Sequence, residues 1–228
     1  MSAFARQALR VLAKDLRVEW RSREILYTMA LFSTLLVVVF AFAFATDGAA
    51  GQAELGAGLL WIAVVFSGTL GLSRFFAREQ EQDAIAALLL SPCSRGALYV
   101  GKLAATLCFM LLCEVVIVLL LGVLLDQRPS HPGLFVALLL LGTLGFAVVG
   151  ALFAAPLMRV RAREVLLGIL TYPIATPVIV AATKGTAALL MVPAEPAAAL
   201  LWIKLLAGFD VVFFVVGLLV FEGLVTTE

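Results

Sequence analysis

From Ile25 to Ala45 the chain carries no charged residue, and the same holds from Leu55 to Ser73, from Gly133 to Met158 and from Val165 to Thr183. At about 1.5 Å of rise per residue, a helix of roughly twenty residues crosses the ~30 Å hydrocarbon core of a bilayer. Two further runs are nearly as apolar: Leu103 to Leu125 is interrupted only by Glu114, and Ala198 to Phe221 carries Lys204 and Asp210. In hydrocarbon every backbone donor and acceptor must be satisfied within the spanning structure, which leaves helices or a closed barrel. The alternating ten-residue strands of a barrel are missing from the pattern. The predicted fold class is therefore all-α, a polytopic membrane protein of about six transmembrane helices forming one domain over residues 1–228.

Composition points the same way, with 64% of the 228 residues hydrophobic and 14% charged, where soluble domains are about half apolar and a quarter charged. The mean hydropathy is +1.13. A formal net charge of +1 gives no reason to expect a nucleic-acid partner. No cleavable signal peptide is expected, because the first charged stretch is long, includes acids and leads into a full-length span. Cys93, Cys108 and Cys113 form no C-x-x-C pair, and Cys108 and Cys113, inside an apolar run, read as small buried hydrophobes.

Thirteen of the sixteen basic residues fall in the amino-terminal segment, in the loop after the second span and in the loop after the fourth. Arg128, Lys184 and Lys204 remain for the other side. By the positive-inside rule both termini are cytoplasmic, and the outward loops near 47–54, 126–132 and 184–196 are short.

Two charged segments stand out. The first is residues 1–24, where Arg6, Arg10, Lys14, Arg17 and Arg21 share one stripe of a helix and Leu9, Leu12, Leu16 and Trp20 form an adjacent apolar arc. An interfacial amphipathic helix is expected, its cations meeting anionic headgroups and Trp20 at their level. The same segment also reads as a topological anchor alone, or as an elbow beside a partner-binding site. The second segment, Arg74 to Asp83, runs into Ala84 to Leu90, breaks at Ser91-Pro92 and resumes a helical pattern at Arg95. Residues 77–91 are expected to form a short cytoplasmic helix held against the membrane, positioned to receive a partner protein.

The chain has no G-x-x-x-x-G-K-[ST] phosphate loop, H-E-x-x-H, G-x-S-x-G or C-x-x-C-H. It is not expected to bind ATP by a Walker loop, to bind a cofactor or metal directly, or to be catalytic. His131, the only histidine, stands beside Pro132 in an outward loop and reads as a solvated turn residue, with haem ligation the sharper alternative. Charged groups in a span are costly and usually face protein or water, so Glu114 and Asp210 are the intramembrane polar candidates. Lys204 can snorkel outward. Pro173 and Pro177 each remove a helix donor, and a kink or local break is expected there unless neighbours compensate. Ala147, Ala151 and Ala155, with Gly142, Gly145 and Gly150 nearby, predict close helix packing in the fourth span.

The order and spacing of several segments resemble the CcmB family, the membrane subunit of the cytochrome c maturation ABC transporter. They are Leu16-Arg17-Val18-Glu19-Trp20-Arg21, Trp61, Arg74-Phe75-Phe76 with its acidic follow-on, Leu88-Leu89-Leu90-Ser91-Pro92, Gly101-Lys102, Leu141 to Phe146, and Tyr172-Pro173 through Pro177-Val178-Ile179. The likeness covers nearly the whole chain and is weaker over the last span. It departs from the family pattern at Ser73, where an acid is common, and at Asp83-Ala84-Ile85-Ala86.

The resemblance implies an ABC-2-like permease half in the bacterial cytoplasmic (inner) membrane. Two copies would pair with a separate ATP-binding ABC subunit and cooperate with other cytochrome c maturation membrane proteins, with haem as possible cargo or carried by a chaperone that the machine releases. ATP would act through the partner, docked at Arg78, Glu79, Glu81, Asp83, Leu88 and Pro92. The alternative reading is a generic ABC-2 permease exporting a lipid, drug or polysaccharide. An intramembrane enzyme or assembly scaffold is a third, the enzyme gaining support only if Glu114 and Asp210 met in a polar cavity.

Overall fold

A computed structural model describes residues 3–44, 49–81, 94–157 and 163–223. They form seven helices, α1 (Ala3–Ser22), α2 (Glu24–Ala43), α3 (Ala49–Glu81), α4 (Arg95–Leu124), α5 (Pro132–Leu157), α6 (Arg163–Leu190) and α7 (Pro196–Gly223), and no strand occurs among the described residues. Helices α2 to α7 each contain a stretch long and apolar enough to cross a membrane. The six predicted spans are these six helices. Their ends differ from the hydropathy limits: α3 continues through Glu81 and α4 starts at Arg95. Hydropathy marks where hydrocarbon begins, whereas a helix can run on into the interface with its charged side chains solvated. Residues 77–81 are thus the end of α3, and the rest of the expected 77–91 helix lies outside the described residues.

The turn from α1 to α2 follows from the local sequence Glu19 to Glu24. Arg23 adopts the left-handed conformation with φ 55°, a region that costs a non-glycine residue about 1–2 kcal/mol, and its N–H donates to the Glu19 carbonyl at 2.6 Å. Arg23 supplies no side-chain cap to α2. The Glu19 carboxylate does so from the preceding helix, its Oε1 accepting the Leu26 N–H at 3.0 Å. A carboxylate at a helix N-terminus satisfies an orphan donor and complements the helix dipole. The Arg23 guanidinium lies 5.7 Å from the Trp20 ring centroid.

Contacts between helix ends sort them into two groups. At one end, Gln127 Nε2 donates to the Gln52 carbonyl at 2.8 Å and the Ser130 N–H to the Leu189 carbonyl at 3.3 Å, joining the start of α3 and the ends of α4 and α6. At the other, Arg74 of α3 meets Glu24 of α2 at 3.5 Å, and Gln7 of α1 accepts from Ser94 ahead of α4. Among the described residues, the starts and ends that these contacts join are the ones expected on a common side of the membrane; the basic loop after the fourth span lies outside them.

Helices α3 and α5 form the interior: α3 packs on α2, α4, α5 and α6, and α5 on α3, α4, α6 and α7. Lipid tails are as apolar as leucine, so close fit rather than water exclusion holds such helices together. The small-residue stripe of α5 serves this: Ala147 and Ala151 are buried, and the Trp61 ring of α3 fills the space where a Cβ on Gly142 would stand. In contrast, α2 packs through the single stripe Ile25, Met29, Ser33, Val37 and Ala41, leaving Leu31, Leu35 and Phe42 exposed as a lipid-facing surface. Helix α6 runs unbroken through Pro173 and Pro177, so the local break considered for it does not occur. There the Thr176 hydroxyl donates to the Tyr172 carbonyl at 2.8 Å, one turn back along the same helix.

Candidate functional site

Side-chain hydrogen bonds cross between helices within the apolar interior, three of them between described residues. Trp61 Nε1 of α3 donates to Thr186 Oγ1 of α6 at 3.0 Å, and the Tyr172 hydroxyl of α6 donates to Thr69 Oγ1 of α3 at 3.2 Å. These two tie α3 to α6 at separate levels. The third joins α5 to α4, where Thr143 Oγ1 donates to Glu114 Oε2 at 2.9 Å. Both residues are fully buried, and Glu114 Oε1 has no hydrogen-bond partner among the described residues.

Asp210 of α7 is buried as well, and neither carboxylate oxygen has a hydrogen-bond partner among the described residues. Its Oδ1 occupies the space a Cβ on Gly145 would fill, beside Val178 of α6. Gly145 is thus the reason that α7 can bring a carboxylate against the α5 backbone. Thr143 and Gly145 are two residues apart, and at 3.6 residues per turn their side-chain directions differ by about 200°. Glu114 and Asp210 therefore lie on opposite sides of α5 and share no cavity, so the meeting that would have favoured an intramembrane enzyme does not occur. Lys204 is exposed on α7, as a snorkelling lysine requires. His131 is exposed, and its carbonyl accepts the Phe135 N–H at 3.0 Å, opening α5 with Pro132 in the first turn. Cys113 is buried and Cys108 half-buried; Cys93 lies outside the described residues.

At the end of the bundle where α3 stops and α4 starts, Lys102 is buried with Nζ 5.3 Å from the Phe75 ring centroid. Phe75 in turn packs on Phe109, their centroids 6.1 Å apart. A cation over a ring face is favourable, more so when desolvated. Ser94 is held ahead of α4 through its N–H and hydroxyl, which donate to Gln7 Oε1 at 3.2 and 3.1 Å. The segment expected to dock a partner thus leaves α3 at Glu81 and returns at a residue clamped by α1. Arg78, Glu79 and Glu81 fall on the last turns of α3, while Asp83, Leu88 and Pro92 lie outside the described residues.

Sequence reasoning missed Glu19 as the cap of α2, Gln7 as the clamp on Ser94 and Lys102 over Phe75. For Glu19 a signal existed: Ala8, Val11, Asp15 and Glu19 form their own stripe at helical spacing, away from the basic one, and all four are buried. The other two pairings join residues far apart in the chain, and nothing local announces them.

Six apolar helices, four of them packed around a buried α3–α5 pair, with an amphipathic helix clamped to one end, define a polytopic membrane protein. The chain belongs to the CcmB family: the family model described as CcmB protein matches residues 6–223. That makes it a membrane component of a cytochrome c maturation ABC transporter. No curated protein matches the chain in sequence.

Proposed function

We propose that the chain is the non-catalytic permease half of this transporter. In this reading two copies in the bacterial inner membrane, with both termini cytoplasmic, couple ATP hydrolysis in a separate subunit to haem export or to release of a haem-loaded chaperone. The observation that carries the reading is the family match over residues 6–223. The connectivity supports it: α3 leads straight into the charged segment, α4 begins at the clamped Ser94, and α3 and α4 pack on each other and on α5. A push on that segment would move two packed spans as rigid bodies rather than bend one loop.

The docking residues in this reading are Arg78, Glu79, Glu81, Asp83, Leu88 and Pro92. Reversing Arg78 and Glu81 together (R78E/E81R) is expected to abolish co-purification with the ATP-binding subunit and cytochrome c maturation while leaving membrane insertion intact. An undisturbed complex with unchanged ATPase activity would remove the docking assignment. Purification of the native complex, with its subunits identified, tests the transporter reading itself.

A further inference from the structure

The sequence of α1 mixes five cations with two acids, and the structure separates them. Asp15 and Glu19 turn into the bundle beside Ala8 and Val11, where Glu19 caps α2 and Asp15 Oδ1 meets Lys14 Nζ at 2.8 Å. Arg6, Arg10, Arg17 and Arg21 are exposed, and none has an ion-pair partner among the described residues. The outer stripe of α1 is therefore purely cationic, about 22 Å long from Arg6 to Arg21.

We propose that this stripe binds the headgroups of acidic phospholipids, with Arg17 and Arg21 at its strongest point. These two stand one turn apart on the same face, close enough for two guanidinium forks to hold one phosphate. The level is set by neighbours: Trp20 is 73% exposed and Tyr27, just past the turn, 63% exposed, and exposed aromatic residues of this kind sit at the membrane–water interface. Half-buried Leu12 and Leu16 lie between the bundle face and the stripe, which orients the guanidinium groups away from hydrocarbon. A row of lipid phosphates offers anionic partners along the whole stripe, whereas a protein partner would need a matching acidic ridge of the same length. Through Gln7 and Ser94, the same helix holds the return of the docking segment.

The test uses the full chain in mixed micelles of phosphatidylglycerol and phosphatidylcholine in equal amounts, measuring the ratio of the two lipids retained on the repurified protein. The wild type is expected to enrich phosphatidylglycerol, each arginine contributing up to about fivefold. The preference should collapse at about 1 M salt, where the Debye length falls to about 3 Å. R17Q/R21Q should lose about tenfold of the enrichment, R6Q/R10Q less, and R17K/R21K should keep the salt-sensitive part but fall short of the wild type, because an ammonium lacks the fork. No preference in the wild type, or a preference indifferent to salt, overturns the proposal without any variant having to fold. Displacement of phosphatidylglycerol by inorganic phosphate would make the stripe a free-anion site and also overturn it. So would a four-glutamine variant that keeps its lipid preference but loses the ATP-binding subunit, because the stripe would then be a protein-docking surface.

Discussion

Removing the Thr143 hydroxyl should cost stability only while Glu114 is present. The Thr143–Glu114 bond is 2.9 Å long and both residues are buried, Thr143 at 0% and Glu114 at 2% exposure. Interhelical hydrogen bonds in membrane proteins contribute about 0.6 kcal/mol on average and at most about 1.7. Thr143→Val also strips the one partner that Glu114 has among the described residues, its other oxygen having none there, and an orphaned buried acceptor costs about 1–3 kcal/mol. Thr143→Val alone should therefore lower stability by about 1–2 kcal/mol. Glu114→Leu loses the same bond but also removes the unpartnered oxygen, and the two effects are of similar size and opposite sign. Its net change should stay within about 1 kcal/mol. In that background, Thr143→Val should cost under about 0.5 kcal/mol, since the hydroxyl has no carboxylate left to serve. The assay is reversible unfolding of the four proteins of the cycle in mixed micelles. Equal costs of Thr143→Val with and without Glu114 would refute the reasoning. If E114L keeps its stability yet abolishes cytochrome c maturation while E114Q retains it, Glu114 does more than anchor Thr143.

Gly142→Ala places a Cβ in the Trp61 ring and should destabilise by about 1–3 kcal/mol; Gly58→Ala, whose Cβ meets nothing within 4 Å, should be neutral or stabilising by up to about 1 kcal/mol. Thermal unfolding in detergent compares the two, and equal effects would contradict the packing. Glu19→Ala should cost about 0.5–2 kcal/mol, as loss of a helix cap does, and should speed amide exchange at Leu26 while leaving the middle of α2 protected. For topology, cysteines introduced near Gly51 and Ser130 should react with an impermeant reagent from outside intact cells and one at Gln80 should not; labelling at Gln80 would invert or break the six-span arrangement.

The spans were legible because hydrocarbon leaves a chain few choices. A run such as Ile25 to Ala45 must satisfy its own backbone, so its helix can be read without knowing any neighbour. Even there the reading was of membrane depth rather than helix length, which is why α4 begins eight residues before the apolar run at Leu103 and α6 runs on to Leu190. The paired prolines were visible, but not that α6 would pass through them unbroken, since that depends on what compensates the missing donors.

The amino-acid sequence on its own determined the number of spans, the stripe of cations on α1 and which residues in the membrane are costly, because each depends on composition along a single segment. Only the tertiary structure decided the rotation of each helix about its axis, and with it every pairing. Glu114 and Asp210, alike as buried carboxylates, ended on opposite sides of α5: a hydroxyl at Thr143 drew one, and the missing side chain at Gly145 made room for the other. Asp15 and Glu19 turned inward for the same kind of reason: the close fit of α1 against α4, with Val11 and the Ala8 carbonyl 2.7 and 2.8 Å from where a Cβ on Gly101 would stand, sets which face of α1 is buried. In a bilayer, where apolar surface has no preference between lipid and protein, such contacts of shape and hydrogen bonding choose among rotations that hydropathy leaves equivalent.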